Sequence, residues 1–357
     1  MGETTGLFIF VHMEERSATG RIVWIDNCKA IAIGLVALGH LQTNYLVNEV
    51  IFAFVLPVFF FLSGYTFSST ATMPFGKMLQ KKVRTLIVPY LGFSLILFAF
   101  WFFVRRNFGL SGHAADTSVT DALLQVFYGV NSGAFVTPLW FLTCLFVVEV
   151  LFWLLLRLGR KIVIAALVLG LFVFGLYYWT YMDIKHLPHA LWNVDQACFY
   201  LYFFSAGYIV YRCNLVEKLL RSKWKSCVVV SLSAVVFALA FFARENVAVT
   251  WLFLLMQAVM CNAGLLACIA LGWLIRENRA MNFVGRNSLA FFAMHMMVQS
   301  ILIGVVVKVF HIDVGSLQGS LGICILLTLI SLFVLAPVIL FINRYAAWLV
   351  GRRRISQ

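Results

Sequence analysis

Apolar residues along this chain come in long unbroken blocks, and the polar residues fall in short runs between them. Windows of about 20 residues match the length a helix needs to cross a hydrocarbon layer of about 30 Å. They predict helices over 22–43, 50–70, 86–104, 138–156, 162–181, 190–211, 226–243, 247–275, 288–308 and 318–342. The expected fold is therefore all-α, a polytopic membrane bundle of about ten transmembrane helices. The longest loop, about 105–121, is too short to hold a second domain, and 118–128, between it and the next block, reads as a short amphipathic helix lying at the membrane interface. Residues 1–20 read as a disordered cytoplasmic leader, with Met13 as an alternative start, 21–345 as the membrane domain and 346–357 as a basic cytoplasmic tail. There is no internal repeat.

Composition sharpens this picture. The 357 residues are 63% hydrophobic and 11% charged, against about 45–50% and 25% in soluble domains. That excludes a water-soluble enzyme, a disordered chain and a small disulfide scaffold. The net charge of +13 would suit nucleic acid if it formed a patch, but it is spread over loops. Of the 27 Lys and Arg residues, 22 fall on the side holding both termini and the alternate loops; only Arg105, Arg106, Lys185, Arg244 and Lys308 fall on the other. The basic balance is thus a topology signal that puts both termini in the cytoplasm, with some attraction to anionic lipid heads. The eight cysteines lie almost wholly within apolar blocks without CxxC spacing, and read as packing residues.

Polar residues inside the blocks carry the chemical information, because a charge at mid-membrane costs about 2.5–3.5 kcal/mol on insertion scales. The first block contains Ile25-Asp-Asn-Cys-Lys29 and, near its other end, His40. Lys29 and His40 are 11 residues apart, about three helical turns, so they share one face about 16 Å apart along the axis. Asp26, three residues before Lys29, is spaced to pair with it. The second block contains Pro57 and Ser63-Gly64, two points at which a helix can kink beside a cavity. Lys81 and Lys82 read as anchors at the entry to the third block, whereas Arg84, nearer Pro89, suits a phosphate. Weaker candidates are Glu149 in the fourth block, Asp195 near an outer end, Trp140, and His295 two to three turns into the ninth block. His186 and His189 lie in an outer loop with no third ligand in sight, so no metal is expected. No Walker, GxGxxG, HExxH or GxSxG motif occurs.

Taken in order, Asp26…Lys29-x10-His40, Leu56-Pro-Val-Phe-Phe-Phe-Leu-Ser-Gly-Tyr65, Arg84…Pro89-Tyr90, Pro138-Leu-Trp-Phe-Leu and Gly285-Arg-Asn-Ser-Leu…His295 resemble the acyltransferase 3 family over about residues 20–342. These are membrane O-acyltransferases, chiefly bacterial, that acetylate surface polysaccharides and related glycans. The resemblance implies about ten spans in the bacterial inner membrane and acetyl-CoA as donor. It also implies a glycan acceptor, lipid-linked or not, with glycan-assembly proteins as partners. Lys29 stands where many members carry Arg, which keeps the charge and loses bidentate geometry. Some members append an esterase-like domain; with its last residue at Gln357, this sequence is expected to be a stand-alone membrane module.

Moving an acetyl group from a thioester to a sugar hydroxyl needs a base, oxyanion donors and cations for the CoA phosphates. The expected assignment is His40 as general base, with Lys29 and Arg84 on the donor phosphates and Asp26 orienting Lys29. Glu149 and His295 are second-tier catalytic candidates, and Ser63 and Trp140 are cavity or oxyanion candidates. The competing reading is a polysaccharide or lipid-linked sugar exporter. Against it, a transporter needs no phosphate-binding cation aligned with a base three turns above it.

Overall fold

The computed structural model describes residues 22–41, 44–106, 117–130, 138–185, 189–247 and 249–352. Ten long helices follow one another: α1 (Val23–Leu41), α2 (Tyr45–Tyr65), α3 (Phe75–Arg105), α4 (Trp140–Leu156), α5 (Lys161–Lys185), α6 (Val194–Arg212), α7 (Lys223–Glu245), α8 (Thr250–Leu274), α9 (Ser288–Phe310) and α10 (Leu321–Tyr345). No strand occurs among the described residues. Eight of these helices are long and apolar enough to cross a membrane, and the chain is a multi-pass membrane protein. The other two are α4, with 17 residues, and α6, which opens with buried Asp195 and Gln196.

Where helix bounds depart from the apolar windows, local chemistry explains the shift. α2 starts at Tyr45 rather than 50 because the Asn44 side chain accepts from the backbone N–H groups of Leu46 and Val47 at 3.0 and 3.4 Å. That N-cap lets a polar first turn join the helix. α3 starts at Phe75 rather than 86, so the basic cluster is helical and continues into the span through a π-helical turn, Val83–Ile87. The short amphipathic helix is present as Val119–Tyr128, capped by Ser118 and closed by Gly129 at φ 66°. Its Ala122 and Val126 are buried, while Leu123, Leu124 and Phe127 are exposed.

The layout centres on α1, which packs against α2, α8, α9, α10 and the short helix Arg279–Arg286. About 67% of its apolar window is buried, against 22% for α7, so α1 is the interior helix and α7 a peripheral one with Leu232, Leu239 and Phe242 turned outward. Such an outward apolar face fits a lipid environment. Small residues make the close crossings possible. A Cβ at Gly64 would overlap the carbonyl of Phe204, and one at Gly207 that of Phe61, so α2 and α6 cross backbone to backbone. Gly64 is therefore a packing contact rather than a weak point, and α2 runs unbroken through Pro57.

Candidate functional site

Two polar stations lie at opposite ends of α1. At its N-terminal end is a cavity of about 550 Å³ lined by Asp26, Lys29, Thr66, Thr85, Arg286 and Arg352, together with the N-terminal turn of α9. The Gly285-Arg-Asn-Ser motif reaches α1 because Gly285 has no side chain: a Cβ there would overlap the backbone carbonyl of Asp26. This contact brings Arg286 Nε to 3.6 Å from the Asp26 carboxylate. Asp26 therefore has an ion-pair partner 260 residues away in sequence, besides its spacing to Lys29.

Arg352 is held over the same cavity by a polar network. It donates to Asn343 Oδ1 at 3.0 Å and to the Arg286 carbonyl at 2.9 Å. Asn343 in turn donates to Asn287 Oδ1 at 2.9 Å. The chain gets there through a left-handed turn at Gly351, φ 69°, packed against the backbone of Arg84 and Thr85. The start of the basic tail is thus folded onto the bundle. Arg84 itself is exposed and does not line the cavity, although its neighbour Thr85 does. Three cations against one carboxylate, beside a helix N-terminus, make this end suited to an anion.

At the other end, His40 lies in the last turn of α1 and His295 in the second turn of α9. Their ring centroids are 5.3 Å apart with planes tilted by 35°. Gln299 sets this register by donating to the Ala37 carbonyl at 2.8 Å, tying α9 to α1 one turn from His40. Phe52 packs on His40 and Phe292 beside His295. His295 is 1% exposed, with Nδ1 at 2.8 Å from the Phe292 carbonyl and 3.2 Å from that of Phe291. A carbonyl only accepts, so Nδ1 carries the proton and Nε2 a lone pair. That Nε2 is buried with no hydrogen-bond partner among the described residues. His295, which its own helix gives no aligned cation, is therefore not independent of His40.

The remaining candidates sit elsewhere. Glu149, buried in α4, accepts from Lys82 Nζ at 2.7 Å. Lys82 is only 13% exposed at its side chain and lies over the Phe67 ring. The reading of Lys82 as a surface anchor is corrected: it is half of a buried ion pair. Lys81 donates to Thr70 Oγ1 at 2.9 Å. Ser63 donates back to the Phe59 carbonyl at 2.8 Å, and Trp140 packs near Tyr200. Asp195 holds His189 Nδ1 at 2.9 Å and accepts from the Ala190 N–H at 3.1 Å; His186 lies outside the described residues.

Several polar residues escaped sequence reasoning. Arg244, counted only as a loop charge, is buried and donates to Glu49 at 2.5 Å, Gln257 at 2.7 Å and Glu245 at 3.0 Å. Arg286 stood inside a quoted motif without being named as a cation. Arg352 falls in the segment that the sequence assigns to the basic tail. No spacing rule pairs residues so far apart.

A family model described as an acyltransferase domain matches residues 22–342. Neither the curated proteins nor the solved structures compared with the chain gave a match.

Proposed function

Since the chain belongs to the acyltransferase 3 family and is a membrane acyltransferase, we propose that it moves an acetyl group from acetyl-CoA to a hydroxyl of a surface polysaccharide or lipid-linked glycan, working in a bacterial inner membrane with both termini cytoplasmic. Lys29, Arg286 and Arg352 hold the donor phosphates at the cytoplasmic end of α1. Arg84, exposed beside the cavity, is the weaker donor contact. The thioester reaches along α1 toward the histidines, about 16 Å up the axis from Lys29.

There the acceptor hydroxyl gives its proton to His40 as its oxygen attacks the thioester carbonyl. The tetrahedral intermediate collapses with loss of the CoA thiolate, and His40 returns the proton to that sulfur. His295 is the positioning residue. With Nδ1–H committed to the Phe292 carbonyl, its ring packs 5.3 Å from that of His40 and holds the His40 imidazole in place as the proton acceptor. A base oriented by a third group is the arrangement that acyl transfer uses on unrelated folds. The observation that supports this reading is the His40–His295 juxtaposition at 5.3 Å, with a cation-lined cavity at the other end of the same helix.

The test follows the O-acetyl methyl signal by NMR in surface glycan from cells carrying wild-type or His40→Gln protein at equal membrane levels. The variant is expected to lack the signal. Acetylation at the wild-type level would return His40 to a packing role.

A further inference from the structure

A second basic cavity, of about 470 Å³, opens beside the first turn of α1. Its walls are Trp24, Trp273, Arg221, Lys223 and Arg276, with apolar backbone neighbours from α1 and the end of α8. It shares no lining residue with the cavity that holds Lys29. The helix itself separates the two: Lys29, Asp26 and Ile22 face one way, while Asn27 on the other side donates to the carbonyls of Gly272 and Ile275 at 3.0 and 2.9 Å. Cys28 packs against Gly272 there, so α1 and α8 are in close contact at this point.

Two observations set this cavity apart from ordinary charge anchoring. Its three cations come from two separate places in the chain: Arg221 and Lys223 from the start of α7 and the residues just before it, Arg276 from the segment after α8. Nothing in the positive-inside rule requires such convergence on one hollow. Trp24 is 5% exposed, and its indole Nε1 is buried with no hydrogen-bond partner among the described residues. A buried N–H without an acceptor is a standing penalty that a ligand oxygen would remove. Trp273 lies 6.4 Å from Trp24, ring centroid to ring centroid. The cavity therefore offers charge and aromatic walls, one of them carrying an unpartnered buried indole N–H, at the level where tryptophans gather on a membrane surface.

We propose that this cavity binds a phosphate group, with Arg221, Lys223 and Arg276 neutralising its charge and Trp24 Nε1 donating to one of its oxygens. Phosphate in this position has two sources, the headgroup of an anionic phospholipid and free phosphate in the cytoplasm. The cavity lies on the side that the charge distribution reads as cytoplasmic, where basic hollows between spans take lipid headgroups. The site is independent of the acyl-transfer reading, because none of its residues belongs to the proposed donor cavity or the histidine pair.

The full chain in mild detergent would be examined by native mass spectrometry with phosphatidylglycerol, with phosphatidylcholine, with inorganic phosphate and with acetyl-CoA. Retention of phosphatidylglycerol over phosphatidylcholine identifies a lipid source, and a rise in melting temperature with inorganic phosphate alone identifies the free anion. Either is expected to weaken about a hundredfold in Arg221→Gln/Lys223→Gln/Arg276→Gln. Trp24→Phe keeps the ring and loses the donor, and is expected to weaken binding about fivefold. Unchanged anion retention by the triple variant, with wild-type melting behaviour, overturns the proposal. So does displacement of the bound anion by acetyl-CoA, which would make this the donor's cavity.

Discussion

The two ends of α1 solve opposite problems. The N-terminal end gathers Lys29, Arg286 and Arg352 around a cavity with a single carboxylate, Asp26. The C-terminal end packs two imidazoles among Phe52 and Phe292, with a backbone carbonyl choosing the tautomer of one of them. At the first end charge is what matters, and several side chains can supply it. At the second a lone pair at one place matters, and only an imidazole supplies a group that both accepts and returns a proton near neutrality. The same helix should therefore tolerate conservative change at Lys29 and almost none at His40.

The largest effect that would break this contrast is at His40. His40→Ala and His40→Gln should each lower acetyl transfer by about 10²–10⁴-fold, with normal membrane level, measured as acetyl incorporated into glycan. Partial rescue by Gln would turn the dry end into a hydrogen-bonding site only. Next is the pairing of the histidines. His295→Ala should lose about 10–10²-fold, and His40→Ala/His295→Ala should be no worse than His40→Ala alone, because groups acting as a unit are not additive. Independent, multiplying losses would separate the two rings functionally.

Glu149 tests whether a third buried polar centre joins the chemistry. Glu149→Ala strands Lys82 and should destabilise the fold by about 3 kcal/mol, read as a lower melting temperature in detergent. Lys82→Met/Glu149→Leu should recover most of that stability and the activity with it. A double variant that is stable yet inactive would bring Glu149 into the reaction. The smallest effect is at the open end. Lys29→Ala should raise the apparent KM for acetyl-CoA about tenfold, while Lys29→Arg stays within about threefold, since charge dominates a monodentate contact. An equal loss in both variants would give Lys29 the geometric strictness assigned here to His40.

Much of this was legible along the chain. Apolar blocks of membrane-spanning length predict ten helices; ten long helices follow in the same order among the described residues, eight of them long and apolar enough to cross a membrane. The amphipathic turn near 118–128 is a helix with a Ser cap and a glycine stop. The alignment of Lys29 with His40 needs only helical geometry, and α1 is helical throughout. Hydropathy fails where polarity is absorbed by a local cap or a buried partner. Asn44 admits a polar turn into α2, and Lys82 enters α3 because Glu149 waits 67 residues later.

The periodicity and composition of this sequence determined its class, because insertion into a bilayer is decided segment by segment, through apolar length and flanking charge. Which segment lies innermost was decided by tertiary contact. α1 is no more apolar than α7, yet its small residues let five elements close around it while α7 stays at the edge. The partners were decided the same way: Asp26 with Arg286, His40 with His295, Glu149 with Lys82, Arg244 with Glu49. Each pair joins different helices, and helix order around a bundle follows from backbone-level fits such as Gly285 on Asp26. A linear pattern contains the small residue but not the surface it meets.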